Sequence, residues 1–223
     1  EVESRGLWVA GAVGTFGRWL VLGGRLWRTT DPDTTPAFGI GAFNLVRSRT
    51  LDDAGGFAWL RMDIADDAAL AQLIAGHGGR TQLASGLGLA RVHWQHSVRA
   101  MTRGFEKYGS SGGFGSHPRA LFAATLAALL ELAPTLALLI DHGTSWVSLA
   151  ALSVLGVALA SGVLLVRSGG ISARALVTLP VAAALVWFML VRSSWLEWRR
   201  GGLVWRDTFY ASADVRAGKR FRL

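Results

Sequence analysis

The chain has 223 residues, 51% of them hydrophobic, no cysteine, and a formal net charge of +8. The lack of thiols excludes disulfides and thiolate metal sites, and no helix-turn-helix, RNA-recognition or zinc-finger pattern accompanies the basic charge. A chain this basic and this apolar points to an anionic membrane surface before nucleic acid, with length for one modest domain plus membrane segments.

Starting at Glu1 without a positively charged, then apolar, signal segment, the sequence reads as a piece of a longer protein. Leu7 to Trp27 carries Trp8, Trp19 and Trp27 among Arg18, Arg25 and Arg28. That mixture suits the membrane–water boundary, where indole rings sit at headgroup level and arginines reach phosphate. Gly11, Gly14 and Gly17 recur every three residues but fit neither a dinucleotide nor a P-loop pattern. Close packing of an interfacial or membrane helix is their expected role. Asp31-Pro32-Asp33-Thr34-Thr35-Pro36 is a turn-rich linker.

Ile40 to Val46 has the apolar content of a buried strand. Ser48 can cap a short helix that Gly55-Gly56 ends, and Asp66 and Asp67 open a second helix. Leu70, Leu73 and Ile74 share one face of it, and Gly76, Gly78 and Gly79 stop it. The acidic pair has two readings. An aspartate at the N-cap binds free N–H groups and another in the first turn suits the helix dipole. Alternatively, one carboxylate is a general base and the other supports it.

Thr81 to Trp94 alternates loosely and predicts one or two short strands. An amphipathic helix follows over Ser97 to Tyr108, with Val98, Met101, Phe105 and Tyr108 in one stripe and Arg99, Arg103, Glu106 and Lys107 facing away. It packs either on the domain core or on the bilayer. Gly109 to Gly115 reads as a glycine-serine hinge. His93 and His96 lack an HExxH pattern and an acidic neighbour, which argues against a metal pair.

Three apolar runs follow: Ala120–Ile140, Ser145–Val166 and Ala175–Val191. At about 1.5 Å per residue the first two can cross a ~30 Å hydrocarbon layer and the third is marginal. Glu131 and Pro134 mark the first run as kinked, re-entrant or packed inward, and Glu131 as an acid that is functional, protonated or snorkelling. Arg91, Arg99, Arg103, Lys107 and Arg119 precede the runs, and the tail carries Arg192, Arg199, Arg200, Arg206, Arg216, Lys219, Arg220 and Arg222. Three full crossings would put this tail opposite the basic domain, against the positive-inside bias. Either one run stays on its side, with Ala120–Ile140 the expected one, or the bias fails here. The resulting parse is an interfacial segment and linker (1–36), a catalytic-type region (37–117), membrane helices (118–196) and a basic tail (197–223).

The run Gly41-Ala42-Phe43-Asn44-Leu45-Val46-Arg47, then Gly55-Gly56-Phe57, then Ala65-Asp66-Asp67 with Leu70-Ala71 resembles the acceptor-side half of a family 2 glycosyltransferase. The ending Gly202-Leu203-Val204-Trp205-Arg206-Asp207-Thr208-Phe209-Tyr210 is similar to the tail of membrane-bound members that act on lipids. The resemblance implies part of a GT-A type α/β domain on the cytoplasmic face, followed by a helical transmembrane region. It implies a nucleotide-sugar donor, a lipid acceptor, and inverting transfer with Asp67 as general base and Asp66 beside it. Gly41 and Asn44 fall on substrate-binding positions, and Gln95 and Arg99 on an acceptor or diphosphate site. Polymer-making members carry Gln-x-x-Arg-Trp, whereas Gln95 is followed here by His96-Ser97-Val98-Arg99-Ala100, which counts against a processive polysaccharide synthase. The family's divalent metal, magnesium or manganese, is held by an Asp-x-Asp motif that the chain lacks, so the piece alone is expected to be inactive. The competing class is a basic, membrane-anchored adaptor in which Asp66 and Asp67 only cap a helix. A transporter, resting on Glu131 alone, comes third.

Overall fold

The computed structural model describes residues 2–29, 37–141 and 145–220. In chain order the elements are β1 (Val2–Glu3), α1 (Leu7–Gly23), α2 (Ser48–Asp53), α3 (Asp66–Gly76), β2 (Val92–His93), α4 (Val98–Gly104), α5 (His117–Asp141), α6 (Trp146–Arg167), α7 (Ala175–Arg200), β3 (Gly202–Trp205), β4 (Thr208–Ala211) and α8 (Ser212–Gly218). Tighter turns join them at Leu26–Arg28, Phe57–Leu60 and Phe105–Tyr108, and a wide π-type turn spans Ser110–Phe114. The chain is mostly helical. Its strands make two small sheets: β1 beside β2, parallel, and the β3–β4 hairpin.

Among the described residues, three helices are long and apolar enough to cross a membrane: α5, α6 and the Val181–Arg200 part of α7. They expose rows of large apolar side chains such as Phe122, Leu139, Leu149 and Leu164, as a lipid-facing surface does and a water-facing one rarely does. α1 packs against α7 by close approach, and a Cβ on Gly11 would meet Thr178 and Ala182. The glycine repeat therefore works as a helix contact, with Val9 to Thr15 and Arg18 of α1 buried. Where α1, α4 and α7 meet, Val9, Val13, Met101, Phe105, Val186 and Met189 form a core. Phe16 stacks edge-on against Phe105 with ring centroids 5.1 Å apart.

Several expectations are corrected. Residues 40–46 form no strand: the described strands are two to four residues long and pair among themselves, so nothing offers this segment a ladder. Phe43 and Leu45 remain 77% and 90% exposed. The α/β layer of a GT-A domain is thus not formed among the described residues. Between Thr81 and Trp94 only Val92–His93 is a strand, because Gly86–Ala90 folds into a turn closed by Leu89 and Ala90 amides donating to Gly86 O. The 109–115 stretch is no hinge: Ser110, Ser111 and Gly112 are buried. Buried Glu197 anchors them, accepting from Ser111 N at 3.0 Å and from Ser212 Oγ at 2.6 Å. Ser48 opens α2 at its first residue, while Arg47 holds the cap position without a side-chain bond.

α5 runs unbroken through Glu131 and Pro134, so the re-entrant break does not form. Of the alternatives for Glu131, inward packing holds. Arg18 of α1 meets it at 2.7 and 3.0 Å and donates through Nε to Ser161 of α6 at 2.9 Å. Guanidinium and carboxylate thus satisfy one another inside the helical part, without reaching outward. The linker at Asp31–Pro36 lies outside the described residues.

Candidate functional site

α3 begins as the sequence predicts, with one shift. Ala65 is the N-cap, so Asp66 and Asp67 occupy the first two helical positions. Asp63 Oδ1 turns the chain into the helix by accepting from Ala65 N at 3.0 Å. Asp66 Oδ1 accepts from Asp67 N at 3.0 Å, and Asp67 Oδ1 from Ala68 N at 2.9 Å. Below them Ala68, Ala69, Leu73 and Ile74 are buried, which fixes the helix against Phe38, Leu51 and Leu60.

The second oxygen of Asp67 reaches across to the apolar segment. Gly41 N donates to its Oδ2 at 2.6 Å. This contact explains the glycine: a Cβ on Gly41 would lie 2.9 Å from the same oxygen. Gly39 comes still closer, and a Cβ there would collide with Asp67 O. The motif around residue 41 is therefore a backbone cradle for one carboxylate, although it is not a strand.

Lys107 and Tyr108 lie within electrostatic reach of this carboxylate. The Lys107 ammonium lies 4.8 Å from the Tyr108 ring centroid and 5.5 Å from that of Trp205. Arg206 stands 5.1 Å from the same indole. The hairpin turn holds Arg206 and Asp207 at positive φ, 48° and 64°, which costs free energy in residues with a Cβ. Burial pushes the Asp67 carboxyl above the ordinary aspartate range, with Asp66 adding repulsion, while the Ala68 and Gly41 amides and Lys107 pull it back. Burial lowers Lys107, opposed by attraction to Asp67 and Asp66, while Arg206 adds to the lowering. Tyr108 is raised, by burial first and the two aspartates second. The site thus holds a half-buried carboxylate raised by burial and acted on by Lys107, and Lys107 and Arg206 share one indole.

Of the sequence-selected residues, Asp66, Asp67 and Gly41 come together. Asn44 is exposed three positions further on. Gln95 packs its amide near Gly104 of α4, and Arg99 is exposed on that helix. Neither is among the charges or hydrogen-bond partners that act on Asp67. The cation that does act is Lys107, which the helical stripe predicted to face away, together with Glu106. Both turn inward because the helix tightens at Phe105–Tyr108, and three residues per turn rotate them off the 3.6-residue face. Glu106 then holds Arg192 at 2.8 Å and Arg200 at 3.0 Å. His93 pairs with Glu3 at 2.9 Å. The divalent metal that the resemblance implies does not fit these residues: among those described, no three His, Asp or Glu groups converge.

Compared with family models, with curated proteins and with solved structures, the chain finds no match. What the fold defines is a membrane-associated helical protein with a carboxylate site where its polar segments meet the apolar helices.

Proposed function

We propose that the chain is the acceptor-side and membrane part of an inverting glycosyltransferase that transfers a sugar from a nucleotide donor to a lipid hydroxyl. One observation carries the reading: Asp67, half-buried, is cradled by Gly41 N and acted on by Lys107, which in turn packs on Trp205 of the hairpin. These are the two stretches, 41–71 and 202–210, on which the sequence resemblance rests, and they are far apart in the chain. The exposed Phe43 and Leu45 agree with a further layer, a nucleotide-binding half, packing on this edge.

In this reading the acceptor hydroxyl oxygen attacks the anomeric carbon while Asp67 removes its proton. The bond from that carbon to the donor's diphosphate breaks with inversion, and the proton ends on the carboxylate. Lys107 and Arg206 offset the negative charge growing on the leaving diphosphate, Arg206 with the fork geometry that suits phosphate oxygens. Trp205 and Tyr108 hold the two cations and limit water around them. The adaptor reading draws on the Ala68 N–Asp67 hydrogen bond, which is ordinary first-turn capping.

Membranes containing the intact enzyme, given radiolabelled nucleotide sugars, should place label in the solvent-extractable lipid fraction. Label only in insoluble polymer favours the processive alternative, and no label with any donor sugar supports the adaptor.

A further inference from the structure

We propose, on the footing of Asp67 as the base, that Glu106 is a positioning residue: by gripping two arginines of α7 it fixes the Phe105–Tyr108 turn, and with it the Lys107 ammonium that acts on Asp67. An apolar helix thereby sets the geometry of the polar site.

The turn is held residue by residue. Phe105 is fully buried and packs with Met101, Val186 and Met189. The Glu106 carboxylate, 15% exposed, accepts from Arg192 Nη1 at 2.8 Å on one oxygen and from Arg200 Nη1 at 3.0 Å on the other. Its backbone carbonyl accepts from the hydroxyl of buried Ser193 at 3.3 Å. The Tyr108 ring stands edge-on to Phe105, centroids 5.5 Å apart. Just past the turn, Gly109 lies so close to Glu197 that a Cβ would strike its carboxylate. Arg192, Ser193, Glu197 and Arg200 all belong to α7.

Lys107 alone in this turn is directed to the carboxylate site. Its ammonium rests near the Tyr108 and Trp205 rings, and Asp67, Asp66 and Arg206 act on it. A lysine is a point charge on a flexible stem, so its placement depends on how firmly its backbone is held. Apolar packing of Phe105 anchors the turn but lets it slide. The two arginines stand eight residues apart on α7, about 12 Å of helix. One carboxylate can reach both from a single place along the axis, so the bridge fixes register.

Charge and placement predict opposite effects on Asp67. Burial pushes its carboxyl up and Asp66 adds to that, while the Ala68 and Gly41 amides and Lys107 oppose them. Glu106→Gln removes a negative charge and frees two arginines, which by charge alone would lower the Asp67 carboxyl. Loss of the Lys107 placement raises it. Asp66 and the two amides lie on other elements and keep their positions.

The test follows isotope-labelled aspartate carboxyls by NMR through a pH titration of the purified chain in mild detergent. The Asp67 signal is assigned by its disappearance in Asp67→Asn. In Glu106→Gln the Asp67 midpoint should rise, in the direction of Lys107→Met. Glu106→Asp keeps the charge but is one methylene too short to reach both arginines, and should raise it as well. In the Lys107→Met background neither change should raise it further. A midpoint that stays or falls in both variants overturns the proposal, as does one that rises by as much again in the Lys107→Met background. The titration reads placement and not turnover, so it decides the matter even where Asp67→Asn leaves transfer intact, the result that would sink the base reading instead.

Discussion

Removing one member of the Arg18–Glu131 pair should cost more stability than any other single change in the helical part. Both side chains are almost fully buried, at 8% and 5% exposure, and the guanidinium meets both carboxylate oxygens. Glu131→Leu leaves a buried guanidinium with only Ser161 for company, and Arg18→Met leaves a buried carboxylate with nothing. Breaking such a pair costs about 3–5 kcal/mol, whereas replacing both partners by apolar groups of similar volume is neutral or stabilising by about 1–4 kcal/mol. Ser161 is not orphaned in either case, since its hydroxyl already donates to Ala158 O at 2.7 Å. The double variant Arg18→Met/Glu131→Leu should therefore recover most of what each single variant loses. Interaction energies this large stand well outside additive behaviour. The assay is reversible denaturation of the purified protein in mild detergent, followed by far-ultraviolet circular dichroism. At about 2–4 °C per kcal/mol for a chain of this size, each single variant should melt about 6–20 °C lower and the double variant near the parent. Single losses below about 1 kcal/mol that simply add would refute the buried pair as a link between α1 and α5.

Three further outcomes follow from the site. Gly41→Ala puts a methyl 2.9 Å from the Asp67 carboxylate oxygen and should reduce transfer at least about 10-fold, by displacing a base that contributes roughly 10²–10⁴-fold when in place; unchanged turnover would show that the cradle does not matter. Because the base must be ionised, the acid limb of the pH–rate profile should lie above the ordinary aspartate value of 3.8, moving lower in Asp66→Asn, which removes repulsion, and higher in Lys107→Met, which removes attraction; a limb that ignores both assigns it to another group. For stability the sign is opposite to that of a salt-bridged aspartate. Asp67 holds its proton more tightly in the folded state, so its contribution is complete below its ordinary value and lost as pH rises through the folded one, and Asp67→Asn should flatten that part of the stability–pH curve.

The features legible in the sequence were the local ones. The glycine pair after α2, the start of α3 at Asp66, its buried Leu73 and Ile74, and the Met101–Phe105 stripe all come from spacing within one or two turns. The strand over 40–46 failed because a strand is a property of two segments, and its apolar content could not reveal whether a partner lay beside it. The Lys107 position failed because a tightened turn is invisible to a 3.6-residue template. Arg18 and Glu131 did carry a signal: each is a lone charge in an apolar helix, and such charges inside a membrane protein find one another. The hairpin turn that sets Arg206 beside Trp205 was visible only as a motif, since neither residue reports its distance from Asp67.

The identity of the base is tested most directly by Asp67→Asn in the intact enzyme, with transfer to lipid and thermal stability measured on the same preparation. Asparagine keeps the size and the acceptor oxygen for Gly41 N or Ala68 N but cannot take a proton at neutral pH. Turnover should fall at least about 10²-fold, while the melting temperature shifts by no more than the loss of a cap, about 1 kcal/mol, allows. Full activity in Asp67→Asn would contradict the account, and full activity with a large loss of stability would leave the aspartate as a helix cap alone.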